Sequence, residues 1–239
     1  MRIREIKVAI KFGFRLLLSI FSVIVCSATC FTKEPPTSLI EKALASFDGI
    51  KDYSCLYIKE EKAIDNMDPQ TIKLYFRKPF DVRMEWLNDK NKIDQIVVYR
   101  EGYNHNKLRV KESGVLGWAG VLSIDPNGSL AGGDSKHPIT EMGVGKILKR
   151  VLNEIAKGKM TVNDLGNESI EGRDAHKIEV VSDGPPGFHF AKRTILWLDT
   201  QTGFLVKHEH YDYKDQLFER HVYKDVKLNT GLGDDKFTL

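Results

Sequence analysis

The chain has 239 residues, room for one sizeable domain or two small ones, and its 41% hydrophobic and 29% charged content excludes wholesale disorder. The formal net charge is +3, yet the first 28 residues hold five basic side chains and one acidic. The remainder carries 31 basic and 32 acidic residues, so no electrostatic footprint for nucleic acid is left.

Arg2, Arg4, Lys7, Lys11 and Arg15 precede the apolar run "LLLSIFSVIV" (16–25), and small residues follow in "CSATC" (26–30). A basic head, a short apolar middle and a small-residue exit describe a secretory signal peptide over residues 1–28, cut after Ala28 or Cys30. The run falls short of the about 20 residues needed to cross a bilayer, and an uncleaved anchor is the alternative. This places the protein in the exported, periplasmic class. Cys30 lacks the Leu-small-small triplet of a lipidated cysteine, since Ser27-Ala28-Thr29 precedes it. A lipid anchor through Cys30 and a Cys30–Cys55 disulfide in an oxidising compartment both stay open. Three cysteines imply no disulfide framework.

In "PPTSLIEKALASFDGI" (35–50), Ser38 and Glu41 stand at capping-box spacing, and Leu39, Ile40, Ala43, Leu44 and Phe47 make one helical stripe. The period then switches to two. "YSCLYIKEE" (53–61), "TIKLYF" (71–76), "FDVRMEW" (80–86) and "IDQIVVYRE" (93–101) are predicted strands, separated by turns rich in Asn, Asp, Gly and Pro. A glycine-rich stretch without regular structure is expected over 112–138. A helix follows over 140–159, striped by Val144, Ile147, Leu148, Val151, Leu152 and Ile155. Five further strands are predicted over 160–170, 174–182, 191–199, 204–213 and 217–229. No linker or repeat divides residues 35–239, which read as a single domain of antiparallel strands with two principal helices.

That order of elements resembles the LolA-like superfamily of exported carriers. "LYFRKPFDVRMEW" (74–86) looks like the family's strand–basic–proline–strand element, and the resemblance extends to "LDTQTGFLVKHEHYD" (198–212) and "GLGDDKF" (231–237). It implies an α+β, mainly β fold: a strongly curved antiparallel half-barrel sheet covered by helices. It further implies an apolar cavity lined by Leu74, Phe76, Phe80, Val82, Met84, Trp86 and Trp197. Periodicity alone describes an ordinary core at those positions. The resemblance also implies a lid latch just before the proline. Lys78 occupies that position, and a lysine does not reproduce the multi-donor geometry of an arginine.

His208 and His210 share a strand face and His221 follows on the next strand, but no carboxylate at ligand spacing completes a metal set, so exposed strand histidines and no metal are expected. Asp134, Ser135 and His137 bring hydrolase residue types together without a G-x-S-x-G elbow. No phosphate loop or dinucleotide fingerprint is present. The sequence therefore reads as a non-enzymatic monomer without a cofactor, holding a lipid, lipoprotein acyl chain or other amphiphile. The alternative is an envelope sensor or scaffold that binds a protein partner on the same fold.

Overall fold

The computed structural model describes residues 34–62, 67–118, 120–128, 131 and 137–239. The expectations for the targeting segment, for Cys26 and Cys30 and for Asp134 and Ser135 fall outside these residues.

Helix α1 (Pro36–Asp48) opens the fold. It starts earlier than a capping box at Ser38 and Glu41 requires: Pro36 presets the first helical φ, and the Ser38 hydroxyl donates back to the Pro35 carbonyl at 2.7 Å. Six strands follow as a meander: β1 (Asp52–Glu61), β2 (Gln70–Arg77), β3 (Asp81–Leu87), β4 (Ile93–Arg100), β5 (Leu108–Glu112) and β6 (Leu122–Ile124). A single helical turn, α2 (Gly114–Gly117), lies between the last two. Strands β5 and β6 are additions to the sequence reading, and β6 lies inside the stretch expected to be irregular. Helix α3 (Val144–Ala156) is shorter than 140–159 because Gly143 takes φ 105° at its N-terminus, a backbone region closed to ordinary side chains. The second meander comprises β7 (Met160–Ile170), β8 (Arg173–Ser182), β9 (Arg193–Asp199), β10 (Leu205–Tyr211) and β11 (Leu217–Leu228).

All pairings are antiparallel, in the order β6-β5-β4-β3-β2-β1-β11-β10-β9-β8-β7. The two meanders join where β1 meets β11, and the outermost strands β6 and β7 do not pair, so the sheet stays open. This is the α+β, mainly β half-barrel that the resemblance implied.

Opposed residues on antiparallel strands share a face. The register Ile72–Tyr57–Tyr223 and, two residues along, Lys59–His221–His208–Leu196 defines the concave face. The helices cover it: the Phe47 ring of α1 lies 6.0 Å from the Phe76 ring of β2. The helices approach closely at Gly145, where an added Cβ would stand 2.5 Å from the Phe47 ring. On the convex face the segment after β11 is tied down by Arg77, which donates to Asp81, to Asp234 and to the Leu232 carbonyl.

Candidate functional site

The β2–β3 corner, built on a cis Lys78–Pro79 bond, meets the end of α1 and the start of α3 around a pocket of about 150 Å³. Leu44, Phe47, Phe76, Phe80 and Met142 supply its apolar wall, and Lys78, Lys146 and Lys149 its rim. Two of the ammonium groups also cover aromatic faces: Lys146 Nζ lies 4.2 Å from the Phe80 ring centre, and Lys78 Nζ 4.9 Å from that of Phe47. Lys78 Nζ donates to the carbonyl oxygens of Phe47 and Asp48, both at 2.8 Å, which places a cation at the carbonyl end of α1.

Phe76, Lys78 and Phe80, expected from the sequence to belong to the binding site, thus stand together at one pocket. Leu74, Val82 and Met84 share the face of Phe76 but are buried within the core beneath it. Trp86 packs at the core margin with its indole N–H donating to Gln70 Oε1 at 3.3 Å. Trp197 departs from the expectation of an inward side chain. It opposes Lys207 and Lys177, so it lies on the convex face, with both ammonium groups over its ring and its N–H on Glu168. Apolar residues on both sides of "TILWL" conceal this in sequence; the pairing register decides it.

Farther along the concave face the core turns polar. His208, His210 and His221 are buried rather than exposed, together with Glu219, Glu61 and Lys59. Glu219 lies at the centre. Its Oε2 is 3.1 Å from His137 Nε2, while its Oε1 is 3.2 Å from His208 Nε2, 3.6 Å from His221 Nδ1 and 3.8 Å from His210 Nε2. This glutamate is the carboxylate the sequence reading lacked. It precedes His221 by two residues on β11, the same spacing that puts His208 and His210 on one face of β10.

Each member has a holder. The Thr194 hydroxyl lies 2.8 Å from His210 Nδ1, which turns Nε2 toward Glu219. His221 Nε2 is 3.3 Å from Glu61 Oε1, and Lys59 pairs with the other oxygen of Glu61 at 3.3 Å. Arg150 of α3 bonds Glu141 and reaches His137, and the Phe190 ring packs against His137, His210 and Phe218.

Burial, reinforced by neighbouring His221, pushes the His208 imidazole down to about 4, and burial with the His208 neighbour pushes His210 well below its ordinary value. Both are neutral at ordinary pH and keep a ring lone pair. Burial alone would raise the Glu219 carboxyl, but hydrogen bonds from His137 and His208 and the adjacent histidines hold it far below the usual range. Cys55 is a buried free thiol, pushed up by burial, and so not a thiolate. His137 serves this cluster, and its hydrolase partners of the sequence reading lie outside the described residues.

The described residues thus form an open antiparallel half-barrel with helices across its concave face. The chain belongs to the family described as "Protein of unknown function (DUF1571)", whose sequence profile matches residues 50–239. No curated protein matches. Among solved structures, MucB in the Pseudomonas aeruginosa MucA/MucB complex is similar at 16% identity and TM-score 0.53, over 85% of this chain and 60% of that one. The Mycobacterium tuberculosis lipoprotein LppX is similar at 12% identity and TM-score 0.51, over 83% and 97%. A LolA superfamily protein from Nitrosomonas europaea matches at 15% identity and TM-score 0.39, over 86% and 98%. The chain spans about three fifths of the MucB chain it matches. The likeness to MucB and to LppX is one of fold. No helix among the described residues is long and apolar enough to cross a membrane.

Proposed function

We propose that this protein is a non-enzymatic binding protein, exported to the periplasm, that takes the chain end of an amphiphile into the pocket beneath α1. The observation that carries this reading is the pairing of an apolar wall (Phe47, Phe76, Phe80) with a lysine rim (Lys78, Lys146, Lys149). Such a site suits an acyl chain that bears an anionic head, as in a fatty acid, a phospholipid or an acylated protein.

Size sets the terms of binding. The pocket, open to solvent at its lysine rim, holds about 150 Å³, the volume of a benzene-sized guest or of about six carbons of an acyl chain. At about 0.8 kcal/mol per buried methylene, that is about 5 kcal/mol before the cost of association. A long chain gains more only if α1 lifts from the sheet and exposes Leu74, Val82 and Met84. The bonds from Lys78 to the end of α1 then act as the latch that this movement must release. Native mass spectrometry and lipid extraction of protein purified from a periplasmic fraction test the proposal, followed by titration of delipidated protein with a long-chain fatty acid. Copurified amphiphile and saturable binding support it; neither being found overturns it.

A second reading has its own observation. At the β6 edge, Tyr103, Val121 and Leu122 are exposed along a groove of about 500 Å³ whose walls include Arg100, Lys107 and Arg109. An unpaired strand edge with aromatic and cationic side chains fits an extended acidic peptide, and on this reading the protein is an envelope scaffold. Recovery of one stoichiometric protein partner without lipid would favour it.

A further inference from the structure

The polar end of the concave face does not line the pocket beneath α1, and its geometry asks for a different ligand. In buried positions nearly every polar nitrogen has a hydrogen-bond partner. Here His208 Nδ1 and both ring nitrogens of His221 have none of acceptable geometry. These rings surround Glu219 with ligand atoms of His208, Glu219 and His221 all within 4.8 Å of one another.

We propose that His208, Glu219 and His221 form a binding site for one divalent transition-metal ion of the zinc type, with His210 as the fourth ligand. Ligand atoms about 2.0–2.1 Å from a tetrahedral zinc stand about 3.3 Å apart. The observed separations from Glu219 Oε1 are 3.2 Å to His208 Nε2, 3.6 Å to His221 Nδ1 and 3.8 Å to His210 Nε2. The ligand atoms of His208, Glu219 and His221 stand within 4.8 Å of one another, so the three side chains close onto one ion by drawing inward, and His210 joins them from 3.8 Å on the Glu219 side. Neutral imidazoles with one carboxylate are the donor set that selects zinc, copper, nickel or iron over magnesium or calcium.

The surroundings match what metal sites require. Ligating imidazoles use the second nitrogen to bond an orienting partner. His210 has Thr194 at 2.8 Å on Nδ1, and Glu61 Oε1 stands 3.3 Å from His221 Nε2, out of line for a hydrogen bond in this arrangement but close enough to bond it once the ring turns to the ion. Glu219 divides its oxygens, with Oε2 toward His137 and Oε1 toward the three histidines. The nearby cations are matched elsewhere, Lys59 by Glu61 and Arg150 by Glu141, which leaves the Glu219 charge to the ion.

The test uses the full chain, stripped with a chelator and titrated with Zn²⁺ by calorimetry, with Co²⁺ as a spectroscopic probe. One Zn²⁺ per chain is expected. His208→Ala and His221→Ala each should abolish stoichiometric binding, Glu61→Gln should weaken it about 10–100-fold as loss of an orienting partner does, and His105→Ala on the surface should leave it unchanged. The Co²⁺ spectrum should show tetrahedral nitrogen and oxygen ligation without a thiolate band, a readout that needs no variant to fold. Absence of stoichiometric Zn²⁺ binding by the wild-type chain overturns the proposal. So does binding retained by the folded His208→Ala/His221→Ala protein, or a thiolate band, which would assign the ion to cysteine.

Discussion

Lys78 Nζ donates to the Phe47 carbonyl oxygen at 2.8 Å, across the gap between the corner of the sheet and the last turn of α1. The ammonium thereby adds a charged donor to the Phe47 carbonyl, which also accepts from the Ile50 N–H at 3.0 Å, and bonds that of Asp48 at the same helix end. Lys78→Met is expected to cost about 1 kcal/mol and to speed hydrogen exchange of α1 amides more than those of α3. Equal protection of α1 in both proteins would show that Lys78 latches nothing.

Gly145 is required by Phe47. An added methyl group would stand 2.5 Å from the ring, so Gly145→Ala should destabilise the fold by about 1–3 kcal/mol through overpacking. Urea denaturation measures the loss, and a Phe47→Leu background should recover part of it. Additive effects of the two changes would mean the contact is not what Gly145 protects.

Phe80 and Trp197 should separate in their effect on a guest. Phe80→Ala removes pocket wall and is expected to weaken fatty-acid binding roughly tenfold. Trp197→Phe, on the opposite face, should leave that affinity unchanged while costing about 1 kcal/mol of stability through the lost Glu168 bond. A guest whose affinity follows Trp197 would place binding on the convex face.

The turn between β9 and β10 predicts a pH effect. Asp199 Oδ1 accepts from the backbone of Gln201 and Thr202 and from the Thr202 hydroxyl, and Oδ2 accepts from Arg173. Burial opposes ionisation, but the bonds from Arg173 and Thr202 prevail and hold the carboxyl below its ordinary value. Its stabilisation is therefore full above the unfolded value of about 3.9 and is lost as pH falls through the lower folded value. Asp199→Asn should be less stable at neutral pH by about 1–3 kcal/mol and should lose less on acidification. Parallel pH–stability curves for the two proteins would refute this.

The half-barrel was legible wherever one side of a strand faced water. Strands such as β1 and β2 alternate cleanly, and their bounds lie within a residue or two of the reading from sequence. Strand β5 escaped notice because "LRVKE" offers only Leu108 and Val110 as an alternating pair, and β6 because it is three residues long. The metal-type cluster failed to appear for a different reason. Lys207 and Glu209 suggested an exposed strand, yet they occupy the convex face while His208 and His210 point under the helices. The spacing within "HEH" and "ERH" signals a common face for each pair, but only the register that opposes His208 to His221 and His210 to Glu219 brings the four together.

The junction of β1 with β11 sets the order in which the molecule can assemble. Partners across it are far apart in the chain: Glu60 and Arg220, bonded at 3.0 Å, are 160 positions distant. Contacts of such long range are slow to form, because the intervening loop must first be closed at an entropic cost. The first meander therefore has to wait with an unpaired inner edge until the final strand has been synthesised. During that interval it is a template for aggregation, and a chaperone that shields strand edges would determine the yield of native protein.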